Sequence, residues 1–246
     1  MNLKIVTYIV VFDLSTRDAA ESLIVHMNRY WIRQDFFKRY ETQEQIGKGG
    51  FASVSMALRL SDKKMFAAKI IKKDRVSKDK ERLYFINELK VSRMFDNPLI
   101  VKTYEVHEMR GQFIIVQDLI QGVNLLQYIK IKKRLADNVA IHVIHQLLHS
   151  IRYLHSLGII HRDIKPQNIM LKLERDEKKL SFKEKYEIIL IDFGLCANSK
   201  DFSATSFLHD KSGTTGYLAP EVIKNTKTFY NEKVDIFSLG IVLVEM

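Results

Sequence analysis

Two short blocks, HRDIKPQN at residues 161–168 and DFG at residues 192–194, are the most informative part of this 246-residue chain. The first block brings together a carboxylate (Asp163), a cation (Lys165) and an amide (Asn168). A carboxylate can accept the proton of an attacking hydroxyl, and a cation can neutralise phosphoryl oxygens. The amide oxygen and the aspartate of the second block are hard ligands of the kind that magnesium prefers. Together the two blocks contain the groups that phosphoryl transfer requires.

Two upstream features extend this chemistry. A glycine-rich segment, IGKGGFASV, occupies residues 46–54, and glycines let backbone N–H groups approach and cradle phosphate oxygens. The same pattern is also typical of ordinary glycine-rich hairpins.

In FAAKI at residues 66–70, Lys69 lies inside an apolar run, where an unpaired ammonium is costly to bury. It therefore needs an anionic partner. Glu88, on a helix predicted at residues 79–94, is the candidate; the alternative is a surface acid on a charged helix.

The set and order of these segments resemble those of the serine/threonine protein kinases. The lysine at position 165 and the block GTTGYLAPE at residues 213–221 are typical of this type, and the chain is most similar to the calmodulin-dependent-kinase-like group. The resemblance implies an enzyme that uses ATP and Mg²⁺ to phosphorylate serine or threonine hydroxyls of protein substrates, with Asp163 as the base. The catalytic residues that it implies are Asp163, Lys165, Lys69 and Glu88, and the magnesium ligands are Asn168 and Asp192.

The resemblance also implies a nucleotide pocket between two lobes. Its lining comes from the glycine-rich segment, from strands and from the connection between the lobes: Ile46, Gly47, Lys48, Gly49, Gly50, Phe51, Val54, Ala67, Lys69, Asp118 and Ile120. Gln117 would lie at the back of the pocket, and the backbone of Asp118 and Ile120 would bond the adenine edge. Asn124 stands where the family often has an acid that contacts ribose, and Ala52 where it has a third glycine.

Two residues are expected to support the catalytic block. By the resemblance, Thr214 would hydrogen-bond both Asp163 and Lys165, and Asp235 would brace the catalytic loop from below.

The activation segment, residues 195–219, is where the resemblance implies regulation. In this family Arg162 normally pairs with a phosphate added to the segment. The usual phosphoacceptor position is occupied here by Asp210, so the carboxylate is expected to supply a fixed negative charge to Arg162. The alternative is a solvent-exposed Asp210 with regulation at Ser206 or Ser212, and the sequence favours neither.

The predicted fold class is α+β, a bilobal protein-kinase-like fold with an antiparallel sheet lobe and a partial helical lobe. Strands are predicted at residues 40–46, 52–60, 64–71, 102–109 and 113–118, and helices at residues 79–94 and 136–157. The predicted domains are an N-terminal extension at residues 1–39 and a kinase domain at residues 40–246, which divides into lobes at residues 40–120 and 121–246.

The N-terminal extension has its own pattern, which predicts a strand at residues 5–12 and a helix at residues 18–33. This order resembles the tail of a pleckstrin-homology domain. The alternative is a simple extension that packs on the kinase lobe. A signal peptide is the less favoured interpretation of the apolar start, because no small-residue cleavage site follows it.

Charge and cysteine content limit the partners. The net charge is +10, but the basic residues are spread among acids without interleaved aromatics, so nucleic acid is not expected. Protein substrates and an upstream kinase are the expected partners, while acidic peptides and phospholipid headgroups stay open. No apolar run reaches the roughly 20 residues that a membrane span requires. The one cysteine, Cys196, predicts a reducing, cytoplasmic location and is either an apolar filler or a reactive thiol.

Several departures from the family pattern suggest that the chain is a fragment of a longer kinase. The sequence ends at Met246 within an apolar helix, and partly exposed apolar side chains are expected at Ile236, Leu239, Ile241, Leu243 and Val244. No arginine is present to pair with Glu221. Ser92 and Thr103 replace apolar residues behind the Glu88 helix, and a charged insertion at residues 172–187 predicts a solvated hairpin. The rival interpretation is a non-catalytic binding module.

Overall fold

The computed structural model describes residues 32–50, 52–173, 186–199, 211–224 and 231–246. Over these residues a sheet-rich N-terminal lobe is followed by a mainly helical C-terminal lobe, which confirms the predicted α+β fold class. Among these residues no helix is both long and apolar enough to cross a membrane.

The N-terminal lobe is built on one twisted sheet and one principal helix. Its elements are β1 (Ile32–Arg33), α1 (Phe36–Arg39), β2 (Tyr40–Lys48), β3 (Ser53–Arg59), β4 (Met65–Lys72), a 3₁₀ turn (Lys73–Val76), α2 (Asp79–Val91), β5 (Thr103–Glu108) and β6 (Gln112–Asp118). The strand order is β1-β5-β6-β4-β3-β2, antiparallel throughout except for the parallel β1–β5 pair. The five predicted strands and the predicted helix at residues 79–94 are confirmed to within a few residues.

The C-terminal lobe continues from the end of β6. Its elements are β7 (Gly122–Asn124), α3 (Leu125–Lys132), α4 (Asp137–Ser156), β8 (Ile159–Ile160), a 3₁₀ turn (Pro166–Asn168), β9 (Ile169–Leu173), β10 (Tyr186–Leu190), β11 (Ala197–Asn198), α5 (Pro220–Lys224) and α6 (Lys233–Glu245). Strands β10-β9-β7 form one small sheet and β11-β8 form another. The segment that carries the first catalytic block therefore runs between β8 and β9.

The two faces of the N-terminal sheet bury different clusters because side chains alternate along each strand. On β6, Ile114 and Val116 face the cluster that contains α1, whereas Phe113 and Ile115 face the cluster that contains α2. Lys69 on β4 lies opposite Ile115 in the strand register, so its side chain emerges on the α2 side. This register brings Lys69 towards the helix that carries Glu88.

Helix α4 confirms the prediction at residues 136–157 and shows why its sequence is periodic. Val143, Leu147, Ile151 and Leu154 recur on one face and are buried in the core of the lobe. Leu239 of α6 packs into the same core and is only 5% exposed. Its predicted exposure is therefore wrong, since this side of α6 faces α4.

The other predicted positions on α6 behave differently from Leu239. Ile236, Leu243 and Val244 are exposed, Val244 by 84%, and Ile241 is partly buried. These four side chains are at least partly exposed, as the sequence predicts.

The described end of the N-terminal extension is part of the sheet lobe. Ile32 and Arg33 pair in parallel with Val106 and His107 of β5, so the predicted helix at residues 18–33 is wrong at its last two residues. Phe36 is fully buried and stacks on Tyr40 with ring centroids 5.2 Å apart. Residues 32–39 thus pack on the lobe, whereas the predicted strand at residues 5–12 and the rest of the helix lie outside the described residues. The domain division at residue 39 stays a prediction.

The charged insertion begins and ends as a hairpin. Strands β9 and β10 are antiparallel, from Tyr186 opposite Leu173 to Leu190 opposite Ile169. Lys172 Nζ lies 2.7 Å from Glu187 Oε2 across the pair. The centre of the predicted hairpin, residues 174–185, lies outside the described residues.

Candidate active site

Lys69 is held between two carboxylates. Its Nζ donates to Glu88 Oε1 at 2.6 Å and to Asp192 Oδ1 at 2.8 Å. Glu88 is 2% exposed, and it is placed by the packing of its neighbours Phe85 and Leu89 on the sheet. The ion pair predicted from the sequence is therefore present, with Asp192 as a second partner of the lysine.

The mutual attraction of Lys69 and the two carboxylates shifts their pKa values. Burial alone would lower the pKa of Lys69, but the charges of Asp192 and Glu88 outweigh this effect and raise it. The nearby Lys69 ammonium lowers the pKa of Asp192 to about 2. Burial raises the pKa of Glu88 despite the attraction of Lys69. Lys69 and Asp192 are consequently charged at neutral pH.

The DFG block turns its phenylalanine inward and its aspartate outward. Phe193 is 1% exposed and packs on Phe95 and His161, with ring centroids 4.6 and 5.1 Å away. Asp192 adopts a left-handed backbone conformation with φ +65°, and its carboxylate is about half exposed. Strained backbone of this kind costs energy and is found at functional sites. The burial of Phe193 thus presents the Asp192 carboxylate to the outside of the core.

Asp163 is surrounded by donors. Thr214 Oγ1 donates to its Oδ1 at 2.7 Å, while Lys165 Nζ and Asn168 Nδ2 lie 2.7 and 3.0 Å from its Oδ2. Lys165 also donates to Thr214 Oγ1 at 2.7 Å. The predicted contacts of Thr214 with both residues are confirmed. A carboxylate has about four acceptor positions, so three donors leave room for one more hydroxyl.

Buried His161 connects the two blocks. Its Nδ1 accepts a hydrogen bond from the Asp163 N–H at 3.2 Å, while its ring packs on Phe193. Burial lowers the pKa of this histidine, which favours the neutral ring that the accepted bond requires.

Asp235 fixes the backbone of the catalytic loop, as predicted. It is fully buried and accepts hydrogen bonds from the N–H groups of His161 at 2.9 Å and Arg162 at 2.8 Å. His155 Nε2 lies 2.8 Å from the same carboxylate. Arg162 has φ +67°, a left-handed conformation that is unfavourable for arginine. The two backbone bonds stabilise this conformation next to Asp163.

The described residues predicted to bind nucleotide lie on β2, β3 and β4, in the β2–β3 connection, and at or just after the end of β6. Gly47 pairs with Val54 across the β2–β3 hairpin, and Ala67 pairs with Gln117. Phe51 lies outside the described residues. Ile46, Lys48, Gly49 and Gly50 are exposed.

In the connection between the lobes, fewer backbone groups are free to bond adenine than the sequence predicts. The Asp118 N–H donates to the Lys102 carbonyl at 3.1 Å, so this N–H is not free to bond the adenine edge. Ile120 is partly buried against the core of the C-terminal lobe. The Gln117 amide donates to Thr103 Oγ1 at 3.1 Å, which satisfies the polar residue at position 103.

Asn124 and Ser92 show departures from the family pattern. Asn124 caps α3: its Oδ1 accepts from the Gln127 N–H at 2.9 Å, and the Gln127 side chain accepts from the Asn124 N–H. The side-chain oxygen of Asn124 is therefore already bonded within α3.

Ser92 is 2% exposed, and its hydroxyl has no hydrogen-bond partner among the described residues.

Cys196 is a fully buried free thiol. Burial raises its pKa, which disfavours the reactive thiolate. Its carbonyl accepts a hydrogen bond from the Asn87 side chain of α2. Asn87 was not anticipated from the sequence, and neither was His155 as a partner of Asp235. Both contacts join distant parts of the chain, for which local periodicity gives no signal.

Comparison with known proteins agrees with this geometry. The family model "Protein kinase domain" matches residues 40–246. A "Probable myosin light chain kinase" of Dictyostelium discoideum is 36% identical over 206 residues, which are 82% of this chain and 61% of the relative. Calcium-dependent protein kinase 4 of Plasmodium berghei is 33% identical over 208 residues, 85% of this chain and 37% of the relative. Calcium/calmodulin-dependent protein kinase type II of Caenorhabditis elegans is 34% identical over 209 residues, 85% of this chain and 27% of the relative.

The chain belongs to the protein kinase family. Its relatives are serine/threonine kinases of the calmodulin-dependent-kinase-like group, as the resemblance in the sequence implied. The chain spans between 27% and 61% of the length of the three relatives described above.

Proposed function

We propose that this chain transfers the γ-phosphoryl group of ATP to serine or threonine hydroxyls of protein substrates, with Mg²⁺ as the metal. The observation that carries the proposal is the Asp163 carboxylate, held by Thr214, Lys165 and Asn168 with one acceptor position left. A free carboxylate position that can accept the proton of the attacking hydroxyl, beside a lysine that can neutralise the phosphoryl oxygens, is the arrangement that phosphoryl transfer requires.

Each side chain has a distinct part in the proposed reaction. Asp163 orients the substrate hydroxyl and accepts its proton. Lys165 neutralises negative charge that develops on the transferred group, and Thr214 keeps both side chains in position. Lys69, fixed by Glu88, aligns the phosphates of the nucleotide. None of these groups has to move far, because all are held by hydrogen bonds before substrate binds.

The donor atoms suit magnesium. Asn168 uses its Nδ2 for both bonds to Asp163, to the carbonyl at 2.9 Å and to Oδ2 at 3.0 Å, which leaves its Oδ1 for a cation. Asp192 supplies a carboxylate that stays ionised because Lys69 lowers its pKa to about 2. Two hard oxygens are few for an all-protein site but typical of Mg²⁺ that also binds phosphate and water. When bound, the metal would neutralise phosphate charge and orient the transferred group.

The glycine-rich hairpin supports nucleotide binding by its open space. Apart from its chain neighbours, a Cβ at Gly50 would meet no atom of the described residues within 4 Å, and one at Gly49 would meet the Ala52 carbonyl at 3.5 Å. Packing of the described residues therefore does not require glycine at these positions. Close approach of backbone N–H groups to phosphate does require small residues there.

Partners and location remain part of the proposal. Protein substrates and an upstream kinase are expected for this family, and the relatives named for calcium or calmodulin suggest similar regulators. We place the chain in the cytoplasm, because Cys196 is a buried free thiol that a reducing compartment preserves.

The test separates binding from transfer. ATP binding is measured with a fluorescent nucleotide, and transfer is measured with labelled ATP and a mixture of serine peptides, with Mg²⁺ or EDTA. We expect both activities in the wild type, loss of transfer in EDTA, and a roughly 10²–10⁴-fold lower transfer rate with unchanged binding in Asp163→Asn. The exposed Asp137→Asn substitution on α4 is the matched control. ATP binding without transfer in the wild type would favour the alternative, a non-catalytic nucleotide-binding module.

A further inference from the structure

Tyr84 connects the helix of the N-terminal lobe with the activation segment. Its hydroxyl lies 2.5 Å from Ser212 Oγ, and its ring packs against the small core of the C-terminal lobe that contains Ala219, Val222 and Val234. The Arg162 guanidinium lies over the ring, 5.6 Å from its centroid. An aromatic side chain of α2 is thus seated on the other lobe by a hydrogen bond, apolar packing and a cation–π contact.

Tyr84 and Ser212 each lie close in the sequence to an active-site residue. Tyr84 lies four residues before Glu88, so the two side chains share one face of α2. Ser212 lies two residues before Thr214, which holds Asp163 and Lys165.

The segment around Ser212 has little freedom. Ser212 is 8% exposed. The next residue, Gly213, has φ +129°, and a Cβ there would lie 2.7 Å from the Arg162 carbonyl. Because the segment lies so close to the catalytic loop, a hydrogen bond to Ser212 also fixes the position of Thr214.

Helix α2 has a second contact with the activation segment, and its N-terminal end has no side-chain cap. The Asn87 amide donates to the Cys196 carbonyl, and Asn87 is 7% exposed. The N-cap residue, Lys78, makes no side-chain capping bond. A 13-residue helix without a side-chain cap depends on tertiary contacts for its position. Tyr84, Asn87 and Glu88 supply such contacts on one side of the helix.

We propose that Tyr84 is a positioning residue, which through Ser212 keeps the Lys69–Glu88 pair aligned with the Thr214–Asp163 pair. Tyr84 itself contacts neither nucleotide nor substrate. The inference rests on the proposed kinase function for its effect on rate. Its effect on the position of α2 does not depend on that function.

Three variants test the coupling. Tyr84→Phe removes the hydroxyl but keeps the ring on its apolar site and under Arg162. Ser212→Ala removes the other partner, and the double variant closes a thermodynamic cycle. Tyr128→Phe is the matched control, because it also deletes one tyrosine hydroxyl bond, here to Tyr186 at 3.2 Å, within the C-terminal lobe. All variants are first compared by thermal unfolding, so that loss of folding is recognised.

Two readouts are measured for each variant. Amide hydrogen exchange of residues 79–91 should be faster in Tyr84→Phe and Ser212→Ala and unchanged in the control. Loss of one hydrogen bond should lower the kcat of phosphoryl transfer about three- to tenfold with KM for ATP unchanged. The double variant should resemble either single variant, since both remove the same bond.

The outcomes are distinguishable. Unchanged hydrogen exchange of α2 in Tyr84→Phe, or effects of the two substitutions that add, would overturn the coupling. If no variant, including the wild type, transfers phosphate, the proposed kinase activity fails, and the hydrogen-exchange comparison still decides whether Tyr84 positions α2.

Discussion

Replacing Asp235 with asparagine should strongly destabilise the C-terminal lobe. The Asp235 carboxylate is fully buried and accepts the N–H groups of His161 and Arg162 at 2.9 and 2.8 Å, with His155 Nε2 at 2.8 Å. Asparagine has nearly the same shape but only one acceptor oxygen. Its amide group would therefore face one of the two backbone N–H groups, donor against donor.

The magnitude follows from these contacts. A hydrogen bond to a charged group contributes roughly 1.5–3 kcal/mol, and a buried donor left without a partner costs roughly 1–3 kcal/mol more. The left-handed backbone at Arg162 would also lose part of its support. We expect a loss of about 2–5 kcal/mol in the free energy of unfolding, a large fraction of the roughly 5–15 kcal/mol that stabilises a typical domain.

The assay is urea denaturation at neutral pH, followed by intrinsic fluorescence. Asp137→Asn is the control, because Asp137 lies at the start of α4, its side chain is 89% exposed, and its ion pair to Arg134 is long at 3.9 Å. The same chemical change there should cost no more than about 1 kcal/mol. Equal losses for the two variants would refute the bracing role assigned to Asp235.

Four shorter predictions concern the active site. Asp163→Asn should lower kcat by roughly 10²–10⁴-fold and leave the Kd for ATP near that of the wild type, measured by stopped assays and nucleotide titration. Lys69→Met should abolish transfer with only a modest change in ATP affinity, and wild-type turnover in this variant would contradict the role of the lysine. Lys69 holds the pKa of Asp192 at about 2, so its stabilising effect is complete above the ordinary value near 3.8 and is lost as the pH falls towards 2. Lys69→Met should accordingly lose less stability than the wild type between pH 4 and 2. In phosphate-free protein, Asp210→Ala should lower activity as much as Arg162→Ala, with little further loss in the double variant, although Asp210 lies outside the described residues; additive losses would rule out this pairing.

The contacts that the sequence predicts best are those between motif residues. Lys69 with Glu88, Thr214 with Asp163, and the support from Asp235 all follow from matching short blocks to a family pattern, and all are present. Helix α4 was predictable for a different reason, because its apolar face repeats with helical period over 20 residues.

Other features were wrong or missed for identifiable reasons. The sequence predicts partial exposure of Leu239, but it does not show which side of α6 packs on α4. The capping role of Asn124 is not among the predictions, although asparagine followed by Gln127 three residues later is a helix-start signal. Tyr84 and Asn87 bind residues more than 100 positions away, and single-sequence patterns do not contain such contacts.

The position of α2 illustrates how polar contacts define this site. Ser92, at the end of the helix, buries a hydroxyl without a partner among the described residues, and Thr103 bonds Gln117, at two positions where the family uses apolar packing. Polar side chains at these positions stabilise the packing of α2 less than aliphatic side chains would. Burying a hydroxyl costs free energy, which offsets the gain from burying its carbon atoms. The bonds of α2 to Lys69, Cys196 and Ser212 are directional, so they stabilise one arrangement of the helix and are lost together when it shifts. We therefore expect α2 to shift when any one of these bonds is lost, and Tyr84→Phe tests this by removing a single oxygen atom.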